Sequence, residues 1–191
     1  MNMRTVIAAV LLSGVSGLAL AHPGHESASF LSGFSHPLGG LDHLLAMLAV
    51  GLYAAQQAGR ARWSLPLGFV LAMLLGAGLG AFGLGLPAVE TGIATSVLVL
   101  GLLIAFAIRL PLAASLPLVA LFALFHGHAH HAEMGTASLL TYAAGFALAT
   151  ACLHAAGFML ARWLPQSPAG LAAKRIAGAC VAAIGGVLLG A

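Results

Sequence analysis

Hydrophobic residues dominate six long stretches of the chain beyond residue 37, and most charged residues lie in the short connections between these stretches or near their ends. The stretches cover residues 38–56, 65–83, 88–108, 112–130, 138–161 and 170–190. A helix that crosses a bilayer needs about 20 predominantly apolar residues, which is close to the length of each stretch. The pattern therefore predicts an all-α polytopic membrane protein with six transmembrane helices.

The first residues follow a different pattern. Arg4 precedes an apolar stretch over residues 5–18, and Ala19-Leu20-Ala21 has the small-x-small form of a cleavage site. These features predict a secretory signal peptide over residues 1–21 that is cleaved before His22. We then expect a periplasmic, histidine-containing tail over residues 22–37, followed by a six-helix transmembrane domain over residues 38–191.

Composition and charge agree with this organisation. Hydrophobic residues make up 61% of the chain and charged residues 6%, so the protein has too little polar surface for an aqueous environment. Beyond the signal peptide, all basic residues lie on one side of the predicted bundle, in connections or at the start of the last stretch, namely Arg60, Arg62, Arg109, Arg162, Lys174 and Arg175. The positive-inside rule makes that side cytoplasmic and both mature termini periplasmic, which predicts a multi-pass protein of the bacterial inner membrane. Because the basic residues are scattered, we expect no nucleic-acid partner.

Two cysteines, Cys152 and Cys180, lie inside apolar stretches. We expect them to be small buried thiols, because a structural disulfide would more naturally join two loops.

Two polar segments interrupt the hydrophobic pattern at the ends of predicted spans. One runs from His36 to His43, the other from His126 to Glu133, and together they hold six of the nine histidines and two of the four acidic residues. Imidazole and carboxylate are costly to place in hydrocarbon, so this concentration suggests a metal site or an ion pathway between helices. The predicted topology places both segments on the periplasmic side.

Spacing within the segments gives more detail. His126, His130 and Glu133 are separated by four and three residues, so they share one face if the helix continues that far. His36 and His43 are seven apart, which is also a same-face interval. However, Pro37 predicts that the helix begins near residue 38, with His36 capping it from the loop. One of the neighbours Asp42 and His43 could bind a metal while the other orients a ligand.

The predicted metal ligands are the residues that combine suitable chemistry with these positions: His36, Asp42, His43, His126, His130 and Glu133. A second group has weaker grounds and consists of His22, His25, Glu90, His128, His131 and His154. Glu90 could equally be favoured by a helix N-terminus, and His154 could simply hydrogen-bond a carbonyl group. His128 is best explained as part of a solvated, weakly metal-binding tract. Imidazole with carboxylate suits divalent nickel, cobalt or zinc.

The two segments also carry a family resemblance. The chain resembles the HupE/UreJ nickel and cobalt permeases in residues 36–51, which read HPLGGLDHLLAMLAVG, and in Phe125-His126-Gly127-His128-Ala129-His130 followed by Glu133. The resemblance extends to the signal peptide and to the HPGH start at residues 22–25, and so covers nearly the whole chain.

The resemblance implies a transport domain over residues 38–191 that imports Ni²⁺, or Co²⁺, through the six predicted ligands. It implies a permease and no enzyme, with the metal as transported substrate, no resident cofactor, and nickel-enzyme maturation proteins as candidate partners. Members of the family usually have Gly at position 131 and often Pro at position 135. Here these positions hold His131 and Gly135, so the chain carries an imidazole that the family usually lacks beside the predicted ligands.

Other functions stay open on the sequence alone. Ser35 beside His36 could belong to an intramembrane zinc-dependent hydrolase, paired histidines could be axial ligands of a haem, and a sensor or chaperone would bind metal without flux. The chain has no Walker-type phosphate loop, and its only lysine is Lys174, so we expect no ATP hydrolysis. The pattern favours no particular oligomeric state.

Overall fold

Every regular element is an α-helix in the part of the chain that the structure describes. This structure is a computed structural model that describes residues 25–191, with side chains from Ser29 onward. The helices in chain order are α1 His25–Gly39, α2 Leu41–Gln56, α3 Ala61–Ala81, α4 Val89–Ala105, α5 Leu112–Glu133, α6 Leu139–Trp163 and α7 Pro168–Gly190. The all-α prediction is thus confirmed, whereas the predicted signal peptide and His22 lie outside the described residues.

Length and composition divide the helices of this region into three groups. Four helices are long and apolar enough to cross a membrane: α3, α5, α6 and α7. The pair Ser29–Gly39 and Leu41–Gln56 qualifies together but is bent by 83° at the break between them. Helix α4 is apolar and 17 residues long, which is short for a span. The chain is therefore a multi-pass helical membrane protein with four long spans, or five if the bent pair is one span.

The predicted start of the first span is wrong. The helix does not begin near residue 38 with His36 in a loop, because residues 25–39 form a helix of their own that contains Pro37 near its end. Gly40 then adopts an extended conformation, and α2 begins at Leu41. Gly33 lets α1 pack closely on α6, since a Cβ at this position would collide with the Tyr142 carbonyl. Tertiary packing therefore stabilises a helix where the sequence pattern indicates only a tail.

Helices pack in pairs around α2. Helix α3 lies along α5, α4 lies along α7, and both α1 and α2 lie against α6. Helix α2 also contacts α3, α4 and α7, and its side chains Met47, Val50 and Tyr53 are completely buried. This central position brings the polar first turn of α2 between its neighbours, at the same end of the bundle as the C-terminal turns of α5.

Close backbone contact between α3 and α5 depends on two glycines. A Cβ on Gly127 would collide with the Met73 carbonyl, and one on Gly76 would collide with the Leu124 carbonyl. Small residues of this kind let helix backbones approach in a membrane, where no hydrophobic force drives helices together. Gly127, within the second histidine segment, is therefore a packing residue.

The two cysteines differ from expectation in one respect. Cys152 and Cys180 are free thiols, but they are exposed on the helix surfaces, so the prediction that they are buried is wrong. In a membrane protein the apolar outer surface faces lipid, so an apolar stretch does not imply burial inside the protein.

Candidate metal site

The first polar segment forms a sharp corner. His36 lies in the last turn of α1, and Asp42 and His43 lie in the first turn of α2, across the break at Gly40. A Cβ on Gly40 would lie 2.7 Å from Asp42 Oδ1. That position therefore needs glycine if the carboxylate is to turn back toward His43.

The second polar segment supplies one helical face, as its spacing predicts. Helix α5 ends at Glu133, so His126, His130 and Glu133 all belong to it. His126 and His130 are completely buried, and their rings lie 4.8 Å and 4.9 Å from the ring of His43. Glu133 Oε2 lies 2.7 Å from His36 Nε2, which joins the end of α5 to the end of α1.

Three imidazoles from three helices form the centre of the cluster. His36, His43 and His130 each offer one nitrogen, and these nitrogens lie within 4.8 Å of one another. A metal bonded to two imidazoles at about 2.1 Å each would hold their nitrogens no more than about 4.2 Å apart. The three nitrogens are therefore near the spacing for a shared ion, and the farthest pair would have to move closer together to bind it.

Asp42 determines which nitrogen of His43 faces the cluster. Asp42 Oδ1 accepts a hydrogen bond from the His43 backbone N–H at 2.7 Å and lies 2.9 Å from His43 Nδ1. Because an ionised carboxylate only accepts, Nδ1 carries the proton, and Nε2 keeps its lone pair. His43 Nε2 is buried and has no hydrogen-bond partner among the described residues. This is the arrangement in which a carboxylate orients a histidine ligand toward a metal.

Ser96 makes a comparable contact with His126, and the sequence analysis did not identify it. Ser96 on α4 is completely buried, and its Oγ donates to the Ile93 carbonyl at 2.6 Å. The same Oγ lies 3.0 Å from His126 Nε2. Because the only hydroxyl proton goes to the carbonyl, Nε2 must donate to Ser96, so the free lone pair of His126 is on Nδ1. That atom is buried without a partner in the described region.

Replacing Ser96 with alanine should weaken metal binding by roughly tenfold or more, because groups that orient a ligand are typically worth 10–100-fold in affinity. The matched control is Thr95→Ala, since the Thr95 hydroxyl bonds only the Thr91 carbonyl of its own helix, at 2.6 Å. Imidazole nitrogen chemical shifts should show His126 leaving the Nε2–H tautomer in the Ser96 variant alone. Equal affinity in both variants would remove Ser96 from the site.

A cavity of about 480 Å³ opens beside the cluster. It is lined by His36, Asp42, His43, Glu90 and Glu133, together with small residues of α1 and of the break. Glu90 lies at the start of α4, so it reaches the same opening as the two predicted carboxylates. The structure thus brings together the six predicted ligands and Glu90 at one end of the bundle.

The other histidines have different surroundings. His128 Nε2 accepts a hydrogen bond from the Leu86 N–H at 3.3 Å, which ties α5 to the connection before α4. His131 packs against Gly80 of α3, where a Cβ would lie 2.7 Å from its Nδ1. Both side chains therefore have packing roles of their own outside the three-histidine centre. His25 begins α1, but its side chain lies outside the described region.

His154 lies deeper in the bundle, behind Phe69. It is buried on α6, and neither ring nitrogen has a partner among the described residues. A hydrogen bond to a carbonyl group, one of the two roles that the sequence left open for His154, is thus absent among the described residues. The ring of Phe69 lies 5.1 Å from His154 and 5.6 Å from His126, so an aromatic side chain contacts both imidazoles. Phe69 gave no signal in the sequence, because one phenylalanine in an apolar span resembles any other.

The fold and this cluster define a class of protein, namely a multi-pass helical membrane protein with a buried histidine and carboxylate site at one end. The sequence profile of one family, described as HupE / UreJ protein, matches residues 10–188. The chain is also similar to Protein HupE of Rhizobium leguminosarum bv. viciae, with 45% identity over 189 residues that cover 98% of this chain and 97% of the relative. The chain belongs to the HupE/UreJ family, which confirms the resemblance found in its motifs. No solved structure matches it.

Proposed function

We propose that the protein takes up a divalent transition metal cation, with Ni²⁺ as its main substrate and Co²⁺ as a second. The observation that carries this proposal is the convergence of three imidazoles and two carboxylates from α1, α2 and α5 at one end of the bundle. Imidazole and carboxylate together suit these ions, and membership of the HupE/UreJ family favours nickel.

In the proposed topology all six spans cross the inner membrane after the signal peptide is cleaved. The basic side chains Arg60, Arg109, Arg162 and Lys174 lie at the helix ends opposite the cluster, which the positive-inside rule makes cytoplasmic. The cluster would then face the periplasm, as would both termini. Carboxylates at its opening would raise the local concentration of cations.

Within the site, His36, His43, His126 and His130 are the proposed ligands. Asp42 orients His43, Ser96 orients His126, and Glu133 orients His36 or binds the ion directly. From His126 the ion would pass Phe69 and reach His154, which is buried deeper in the bundle on α6. Inward movement of two positive charges gains about 4.6 kcal/mol per 100 mV of membrane potential, so no ATP is required.

The alternatives have less support. Ser35, the proposed nucleophile of a hydrolase, donates its hydroxyl to the Ser32 carbonyl at 3.2 Å. For a haem, the macrocycle would have to lie between two axial imidazoles, but the rings of His36, His43 and His130 already contact one another at 4.9 to 5.9 Å. A sensor or chaperone would bind metal without moving it. Metal-dependent uptake by reconstituted vesicles separates that function from transport.

Uptake should weaken as the external pH is lowered below neutral, because only neutral imidazole binds a metal. Protonation of the imidazole ligands then competes with the cation. The effect should appear as a higher half-saturating metal concentration. Initial rates in vesicles, with internal and external pH varied separately, measure it.

The same experiment separates ligand protonation from proton coupling. Dependence on internal pH at constant external pH would mean that protons move with or against the metal. Binding that does not respond to external pH would contradict histidine ligation at the periplasmic opening.

A further inference from the structure

A second polar cavity lies at the end of the bundle opposite the histidine cluster. Its volume is about 270 Å³, and it is bordered by the end of α2, the connection after α4, the end of α6 and the start of α7. Four cationic side chains line it, those of Arg109, Arg162, Lys174 and Arg175. The lining includes no acidic residue, so the positive charge is uncompensated by protein groups there.

Lys174 is the most informative of the four. Its side chain is only 8% exposed, although lysine is almost never buried without a partner. It forms no hydrogen bond or ion pair with the residues that the structure describes. The stem of Lys174 is therefore packed while its ammonium group borders the cavity, so an anion there would gain a charge-assisted hydrogen bond.

The neighbouring groups are arranged to bind the same anion. Arg175 uses its Nε–H to donate to the Ala105 carbonyl at 2.8 Å, which anchors the guanidinium beside the cavity and leaves its other N–H donors available. Helix α7 begins at Pro168, where Ser167 accepts a hydrogen bond from the Gly170 N–H. The positive end of this 23-residue helix lies beside the cavity, since Gln166 and Leu171 are both in its lining.

We propose that this cavity binds a phosphate-bearing anion. Phosphate offers several acceptor oxygens, which match the fork of an arginine and the point charge of a lysine. Basic pockets between transmembrane helices on the cytoplasmic side are typical sites for anionic phospholipid headgroups, and free phosphate has the same chemistry. A bound anion would link the ends of α2, α6 and α7. The proposal does not rest on metal transport.

Thermal unfolding of the full chain, purified in an uncharged detergent, tests the proposal. The probes are dihexanoyl-phosphatidylglycerol and inorganic phosphate, with dihexanoyl-phosphatidylcholine and sodium chloride of equal ionic strength as references. The anionic probes should raise the unfolding temperature in a saturable manner, and the references should not. A lipid site is indicated if phosphatidylglycerol acts at much lower concentration than phosphate, and a site for the free ion if the two act alike.

Variants show whether the cavity is responsible. Lys174→Met should raise the half-saturating concentration roughly tenfold, the usual effect of losing one charged hydrogen bond. Arg109→Gln changes a second residue of the lining. Because Arg109 is exposed, this variant can replace Lys174→Met if that protein does not fold. Arg60→Gln is the control, because Arg60 lies at the same end outside this cavity. No response of the wild-type protein, or an equal loss in the control and the lining variants, would overturn the proposal.

Discussion

Replacing His130 with phenylalanine is expected to abolish metal uptake and to lower metal affinity by more than about 100-fold, since even groups that only orient a ligand are worth 10–100-fold. His130 is completely buried, and its ring stacks on Phe146 with 4.5 Å between the ring centres and 8° between the planes. Phenylalanine keeps that stacking but supplies no lone pair. The protein should therefore stay folded and inserted while the site is lost.

The matched control for this variant is His131→Ala, which removes the next imidazole along α5. His131 packs against Gly80 of α3, away from the three-histidine centre. Uptake by the control should stay near the wild-type rate at equal membrane abundance. Metal binding should be measured by calorimetry on the purified proteins, and folding by their unfolding temperatures. Wild-type affinity in the His130 variant would remove this residue from the site.

Replacing Gly127 with alanine is expected to prevent normal folding. The new Cβ would occupy the space of the Met73 carbonyl, so the backbones of α3 and α5 would have to separate along their contact. Over-packing of a well-packed interior costs about 1–3 kcal/mol, and a collision with backbone lies at or above the upper end of that range. Loss of this contact would also displace the two neighbouring ligands, His126 and His130.

Gly78→Ala is the control for the packing prediction. A Cβ at Gly78 on α3 would meet nothing within 4 Å, so the unfolding temperature should be unchanged or slightly higher, because alanine favours a helix by about 1 kcal/mol over glycine. The measurement is the unfolding temperature and the monodisperse fraction in detergent. A Gly127 variant as stable as the Gly78 variant would show that the helices can move apart at no cost.

The sequence predicted the parts of the fold that depend on local pattern. The stretches at 112–130 and 138–161 correspond to α5 and α6 within three residues at each end. The four-residue spacing of His126 and His130 also placed them on one face, because residues four apart lie on the same side of a helix. The agreement is poorer for α4, because the predicted stretch of 21 residues contains a helix of only 17.

Contacts that depend on tertiary structure could not be predicted from the sequence pattern. His36 and His43 do come together, with 5.9 Å between their ring centres, but across an 83° bend and not along one helix as their spacing of seven suggests. Ser96 was missed because a serine in an apolar helix usually bonds its own backbone, as Thr95 does. Its second contact with His126 comes from the packing of α4 against α5, which no local pattern encodes.

The most direct test of the proposed function is nickel accumulation by vesicles that contain the purified protein, with no ATP and an imposed potential that is negative inside. We predict saturable accumulation that grows with the potential, that is lost in the His130→Phe variant and that is retained in His131→Ala. Nickel binding to the purified protein without potential-driven accumulation, or accumulation unaffected by the loss of His130, would contradict the proposed function.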